Sequence, residues 1–171
     1  MALIYDNPKK AETCCFTGHR EIPLLEVARI TRETREAIVS LYQKGVRYFG
    51  AGGAMGFDTI AAETVLELRE TICPEIKLIL VLPCKDQTKS WKNPSDIRRH
   101  DETMRLADKI VYTAEHYHSG CMFKRNRHLV DQSAYCIAYH VKTSGGTAYT
   151  VDYAEQRRLT IIKIGRSCNH K

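Results

Sequence analysis

The run from Val46 to Glu70, VRYFGAGGAMGFDTIAAETVLELRE, constrains this chain most, because its hydrophobic period changes in the middle. Val46 to Phe49 is β-branched and aromatic, as a buried strand prefers. Four glycines follow, Gly50, Gly52, Gly53 and Gly56. Then Phe57, Ile60, Ala61, Thr64, Val65 and Leu68 recur at helical spacing, with Asp58, Glu63, Glu67 and Arg69 largely elsewhere. The helix start is expected to face open space. Its first N–H groups have no intrahelical partner and the helix dipole adds positive charge, so a phosphate or carboxylate is the natural guest. A competing reading is that the glycines serve only a tight turn and close helix packing. Two better-known loops are excluded by spacing: a dinucleotide fingerprint needs glycine where Met55 stands, and a Walker A loop needs a Gly-Lys pair.

The flanking sequence repeats the alternation. Thr13 to Phe16 reads as a strand running into Thr17, Gly18, His19 and Arg20, and Leu24 to about Lys44 reads as a helix closed by Gly45. Ile76 to Leu82 is a near-continuous apolar run stopped by Pro83, the pattern of a parallel strand buried on both faces. The polar loop Lys85 to Asn93 holds the only tryptophan, Trp91, either as a lid over a ligand or packed back on its own domain. A helix over 95–107, a strand at 109–112, a basic helix MFKRNRHLVDQS, a strand at 135–139, a second glycine turn SGGT opening a helix, and a strand at 159–164 complete the order. Lys124, Arg125 and Arg127 crowd the start of the basic helix, where cations oppose the dipole; an anion shared with the glycine loop is one reason for them, a solvated basic face the other.

Such alternation predicts an α/β, Rossmann-like domain: a mostly parallel sheet with helices on both faces, spanning 1–171 as one unit with a loose tail from 165. At 171 residues with 43% hydrophobic and 27% charged content the chain is long enough for a real core, and no apolar run approaches a membrane span. The expectation is a cytoplasmic protein. Seven cysteines without a CxxC pair read as reduced and structural, and His116, His118 and Cys121 fit no common zinc spacing, so neither metal nor cofactor is expected. The formal charge of +6 is compatible with an anionic partner but names none. In parallel sheets ligands lie beyond the carboxyl ends of the strands, where TGHR, GAGGAMG, the 113–127 region and SGGT all fall.

Taken together, TGHR at 17–20, GAGGAMGFD, Pro83 with Trp91, KRNRHLVDQS at 124–133 and SGGTAYTVDYA at 144–154 resemble the YpsA-like proteins, over nearly the whole chain. That family is placed in the SLOG superfamily beside the DNA-processing protein DprA (Smf) and the LOG-type nucleotide hydrolases. The resemblance implies a Rossmann-like fold and binding of a nucleotide or related compound. DprA-like proteins bind single-stranded DNA, and their pattern matches Gly53, Gly56, Asp58, Arg125, Asn126, Arg127, Ser144 and Gly145. LOG-like enzymes cleave the N-glycosidic bond of a nucleoside monophosphate with an arginine, matched by Arg125, and a glutamate after the glycine turn. Here that glutamate is missing, and Asp152 lies about a turn later.

The expected ligand is therefore a nucleotide-like, phosphate-bearing small molecule bound by a sensor or regulator, with nucleic acid less favoured, no membrane partner and a homo-oligomer left open. Gly50, Gly52, Gly53 and Gly56 on one turn, and Ser144, Gly145, Gly146 and Thr147 on the other, are expected to cradle phosphate. Arg20, Arg125 and Arg127 neutralise it, Thr17 and Thr147 add hydroxyls, and Gly18, His19 and Asn126 complete the rim. Asp58 caps the helix or takes a ribose hydroxyl, and Trp91 or Tyr149 stacks on a base. Arg125 and Asp152 are the weak catalytic candidates.

Overall fold

The computed structural model describes residues 8–141 and 145–165. In chain order the elements are β1 (Thr13–Gly18), α1 (Val27–Gln43), β2 (Tyr48–Ala51), α2 (Phe57–Glu70), β3 (Lys77–Leu82), α3 (Pro94–Leu106), β4 (Lys109–Tyr112), α4 (Cys121–Asp131), β5 (Tyr135–Tyr139), α5 (Gly146–Gln156) and β6 (Thr160–Ile164). Short 3-10 turns precede β1 and α1. The six strands form one sheet in the order β4-β3-β2-β1-β5-β6, every pair parallel. The mostly parallel sheet read from the sequence is thus wholly parallel among the described residues.

Successive strand residues turn to opposite faces, and here both faces are buried. Cys14, Phe16, Leu78, Leu80, Leu82, Ile137 and Tyr139 join Ile30 and Ile38 of α1 and the apolar face of α2 in one core. Their odd-numbered or even-numbered neighbours, Cys15, Val81, Cys136 and Ala138, pack with Leu129 and Val130 of α4 and Val151 and Ala154 of α5 in a second. Helices α1, α2 and α3 pack side by side, as do α4 and α5. Reversing the winding after β4 sends the chain across to β5, beside β1. The sheet's switch point is therefore the seam between β1 and β5.

Local chemistry sets the helix ends. Gly45, at φ +99°, follows α1 in a left-handed turn where Gly45 N–H donates to Tyr42 O and Val46 N–H donates to Leu41 O, both at 3.0 Å. Asn93 caps α3 by accepting from Ser95 N–H at 2.9 Å, with Pro94 in the first turn, where its missing donor costs nothing. Four strands differ from the sequence reading, β3 and β6 by starting one residue later, at Lys77 and Thr160. β2 starts two residues later than Val46, and β1 continues two residues past Phe16 because Thr17 and Gly18 pair with Ala138 and Tyr139. Among the described residues, no helix is long and apolar enough to cross a membrane. The tail from 166 and Cys168 lie outside the described residues; the other six cysteines are buried and unpaired.

Candidate functional site

Beyond the carboxyl ends of β1 and β5 the chain encloses a pocket of about 320 Å³. It is lined by Thr17, Gly18, His19 and Arg20 from the end of β1, by Ala54 and Asp58, by Arg125 and Asn126 of α4, and by Gly145, Gly146 and Thr147 at the start of α5. Segments far apart in sequence meet there because β1 and β5 are neighbours and both run toward that edge.

The first glycine turn does not present itself as the sequence suggests. The start of α2 is stoppered, not open: Phe57 N–H donates to His19 O at 3.1 Å. Gly56, at φ +75°, lies so close to Arg20 that a Cβ there would stand 2.7 Å from the Arg20 Cα. Inside the turn, Ala54 N–H donates to Asp58 Oδ2 at 3.2 Å, and Gly52 O accepts from Gln87 Nε2 at 3.2 Å and from Arg125 Nη1. A Cβ on Gly52 would collide with the Arg125 guanidinium and stand 2.9 Å from Asp58 Oδ2. The turn holds its own carboxylate where a phosphate was expected. Gly53 is pressed against Gln87 and His100, and Gly50 against Leu129, so packing accounts for these glycines.

Asp58 and Arg125 are 7% and 4% exposed, and their charges act on each other from either side of Gly52. Burial pushes the Asp58 carboxyl above its usual range, against the pull of Arg125, of Ala54 N–H and of Arg20. Burial likewise lowers Arg125, against the Asp58 charge. Arg125 also donates from Nε to Asn126 Oδ1 at 2.7 Å. Its guanidinium lines the pocket as a brace, with each of its three nitrogens already donating to the protein, to Asn126, Gly52 O and Met122 Sδ.

The second glycine turn is different. Gly145, at φ +99°, leads into α5 with no side-chain cap and no acidic residue in the first turn. Among the described residues, nothing stands within 4 Å of where a Cβ on Gly145 or Gly146 would be. The first N–H donors of α5, without a partner among the described residues, and the positive end of the dipole thus lie at the pocket. Thr147 is buried beside them. Opposite, Arg20 is exposed, and no hydrogen bond or ion pair holds it among the described residues. His19 accepts Val141 N–H at Nε2, 2.9 Å away, tying the β1 edge to the segment after β5.

The remaining expected residues fall elsewhere. Arg127 donates to Tyr149 Oη at 3.1 Å on the outer face of α4 and α5, away from the pocket lining. Trp91 meets His100 edge-on, ring centroids 5.2 Å apart, and lines an adjoining hollow. Ser144 lies outside the described residues. Asp152 is exposed on α5 and does not line the pocket. Sequence reasoning missed Met122, Phe123 and Gln87. Phe123, 43% exposed and edge-on to Tyr149 at 4.7 Å, is the one that a helical wheel flags, as an apolar residue off the buried stripe. Gln87 is a buried amide in a hydrophilic run, which no local pattern marks.

Comparison with known proteins adds relatives. The model of the YspA SLOG family matches residues 9–163. The UPF0398 protein YpsA of Bacillus subtilis is 26% identical over 132 residues, covering 75% of this chain and 72% of that protein. A UPF0398 protein of Bacillus velezensis is 30% identical over 131 residues, covering 75% and 70%. Among solved structures, DNA processing protein A from Helicobacter pylori, described for its single-stranded DNA binding mode, superposes with a TM-score of 0.66 at 19% identity, over 94% of this chain and 68% of that one. At that identity the likeness speaks for the fold.

Proposed function

Because the chain belongs to the YspA SLOG family, we propose that it binds a nucleotide or nucleotide-derived ligand by its phosphate, as a sensor or regulator. One observation carries this reading: the start of α5, with no side-chain cap, and the exposed Arg20 converge on a single pocket at the switch point. The phosphate accepts from the backbone N–H groups of Gly146, Thr147 and Ala148, with Arg20 neutralising it and the Thr17 and Thr147 hydroxyls within the same lining. Arg125 and Asp58 keep the wall rigid from behind. A cytoplasmic location fits a nucleotide ligand. Hydrolysis of a glycosidic bond gains nothing from Asp152, which stands outside the pocket.

Thermal shift with nucleoside monophosphates tests the reading, since a ligand bound only by the native state raises apparent stability by about 2.7 kcal/mol at a hundredfold excess over Kd. Arg20→Ala removes a charge-assisted contact and should weaken binding about tenfold or more. No shift with any phosphate compound would sink the proposal.

A second reading, single-stranded nucleic acid, is favoured by the exposed rings of Phe123 and Tyr149, backed by the partly buried Tyr153, beside Arg127, and by the DNA bound by the Helicobacter protein. Affinity for an oligonucleotide would then fall steeply with salt, with a slope of about 0.7 per phosphate engaged, whereas a mononucleotide gives a shallow one.

A further inference from the structure

Next to the anion pocket, and sharing Arg20, Ala54 and Met122 with it, lies a larger hollow of about 710 Å³. Its lining is of a different kind. Met55, Met122, Trp91 and Tyr117 supply polarisable thioethers and flat rings, the surface that a heteroaromatic ring prefers. Trp91 is half-buried and braced by His100, while Tyr117 is 66% exposed. Besides Arg20, two charged groups line the same space, Asp86 and Lys89. Asp86 is fixed by the backbone, since its Oδ1 accepts Tyr117 N–H at 3.1 Å. The loops after β3 and β4 that carry these groups are joined again by Lys85 N–H donating to Glu115 O at 3.2 Å.

We propose that this hollow is a nucleobase subsite and that Asp86 selects a base carrying two adjacent N–H donors, that is, a guanine-type purine. The proposal rests on the phosphate reading of the anion pocket and names the base attached to it. The chemistry discriminates as follows. A carboxylate offers only acceptors. Guanine presents N1–H and the N2 amino group side by side, and both can donate to it. Adenine sets the N1 lone pair beside its amino group, and uracil has one N–H between two carbonyls, so each brings an acceptor against the carboxylate. Lys89 supplies a cation suited to the guanine O6 and N7 acceptors. The Cys84 thiol, by its hydrogen bond, and then Tyr117 N–H hold Asp86 below the usual carboxylate range, so it is ionised at neutral pH. Continuity through Arg20 lets one ligand place its phosphate at α5 and its base between the methionines and the rings.

Calorimetric titration of GMP, AMP and ribose 5-phosphate, with the fluorescence of the only tryptophan as a local reporter, tests this on wild type and Asp86→Asn. The expected result is GMP binding about tenfold tighter than AMP with a change in Trp91 emission, because hydrogen bonds to a charged group are worth about that much. Asp86→Asn keeps an acceptor for Tyr117 N–H and should bring GMP to within about twofold of AMP while leaving ribose 5-phosphate unaffected. Lys89→Met, at an exposed position, should also reduce the GMP preference and serves if Asp86→Asn does not fold. Equal binding of GMP and AMP by wild type, a preference that survives both substitutions, or ribose 5-phosphate binding as tightly as GMP with silent Trp91 overturns the base subsite and leaves the anion pocket standing. Failure of every phosphate compound to bind overturns both.

Discussion

Asp58 occupies the hollow of the first glycine turn, and Gly52 has no side chain because Asp58 and Arg125 share the volume one would need. The residue scale is where the sequence was least legible. GAGGAMGFD shows where Cβ atoms are missing; it does not show what fills the space, and here the filling is a carboxylate, a guanidinium, an amide and a stretch of backbone. The carboxylate is local to the turn, but the guanidinium, the amide and the backbone come from elements that no local pattern links to it. The titration of Asp58 gives a test. Its folded pKa is raised above 3.8 by burial, so protonation favours the folded state below pH 3.8 and that contribution is lost as pH rises through the folded value. Asp58→Asn cannot titrate. Urea denaturation across this range should show wild type losing stability relative to Asp58→Asn as pH rises, and parallel profiles would count against a buried, burial-shifted carboxyl.

At the scale of elements, α2 and α5 look alike in sequence: each follows a strand, each is opened by glycines, and each has an apolar inner face. What separates them is non-local. The backbone of His19 and Arg20 lies against the start of α2, whereas among the described residues no such backbone covers the start of α5. The existence and order of the helices were readable from period and caps, as with Asn93 and Pro94 at α3 and Gly45 after α1. The stopper was not, because it depends on β1 running two residues further, to Gly18, whose own Cβ would stand 2.6 Å from the Phe57 Cβ. The difference predicts effects of opposite sign for one substitution. Gly146→Glu, placed where nothing lies within 4 Å, sets a carboxylate at the positive end of α5. It should stabilise the fold by about 0.3–1 kcal/mol in a thermal melt and, by occupying the anion's place, abolish phosphate binding. Loss of stability together with retained binding would contradict an open α5 start.

For the whole molecule, alternation of strands and helices was enough to read a parallel sheet with helices on both faces, since period and length are local properties. Strand order is not local. That β1 and β5 become neighbours follows from the chain reversing its winding after β4, and this one choice gathers TGHR, α4 and the second glycine turn at a single edge. Ala54 of the first glycine turn and Gly145, Gly146 and Thr147 of the second line the pocket at that edge, and the Ala54 donor is already held by Asp58. Phosphate is thus expected at the start of α5 and not in the first glycine turn. Titrating inorganic phosphate and then GMP into uniformly ¹⁵N-labelled protein, and following the backbone amides by NMR, tests it directly. The largest shifts should fall on Gly18 to Arg20 and on Gly145 to Ala148, with little change at Gly52 to Ala54. Shifts centred on Gly52 to Ala54 instead, with Gly145 to Ala148 unmoved, would contradict it.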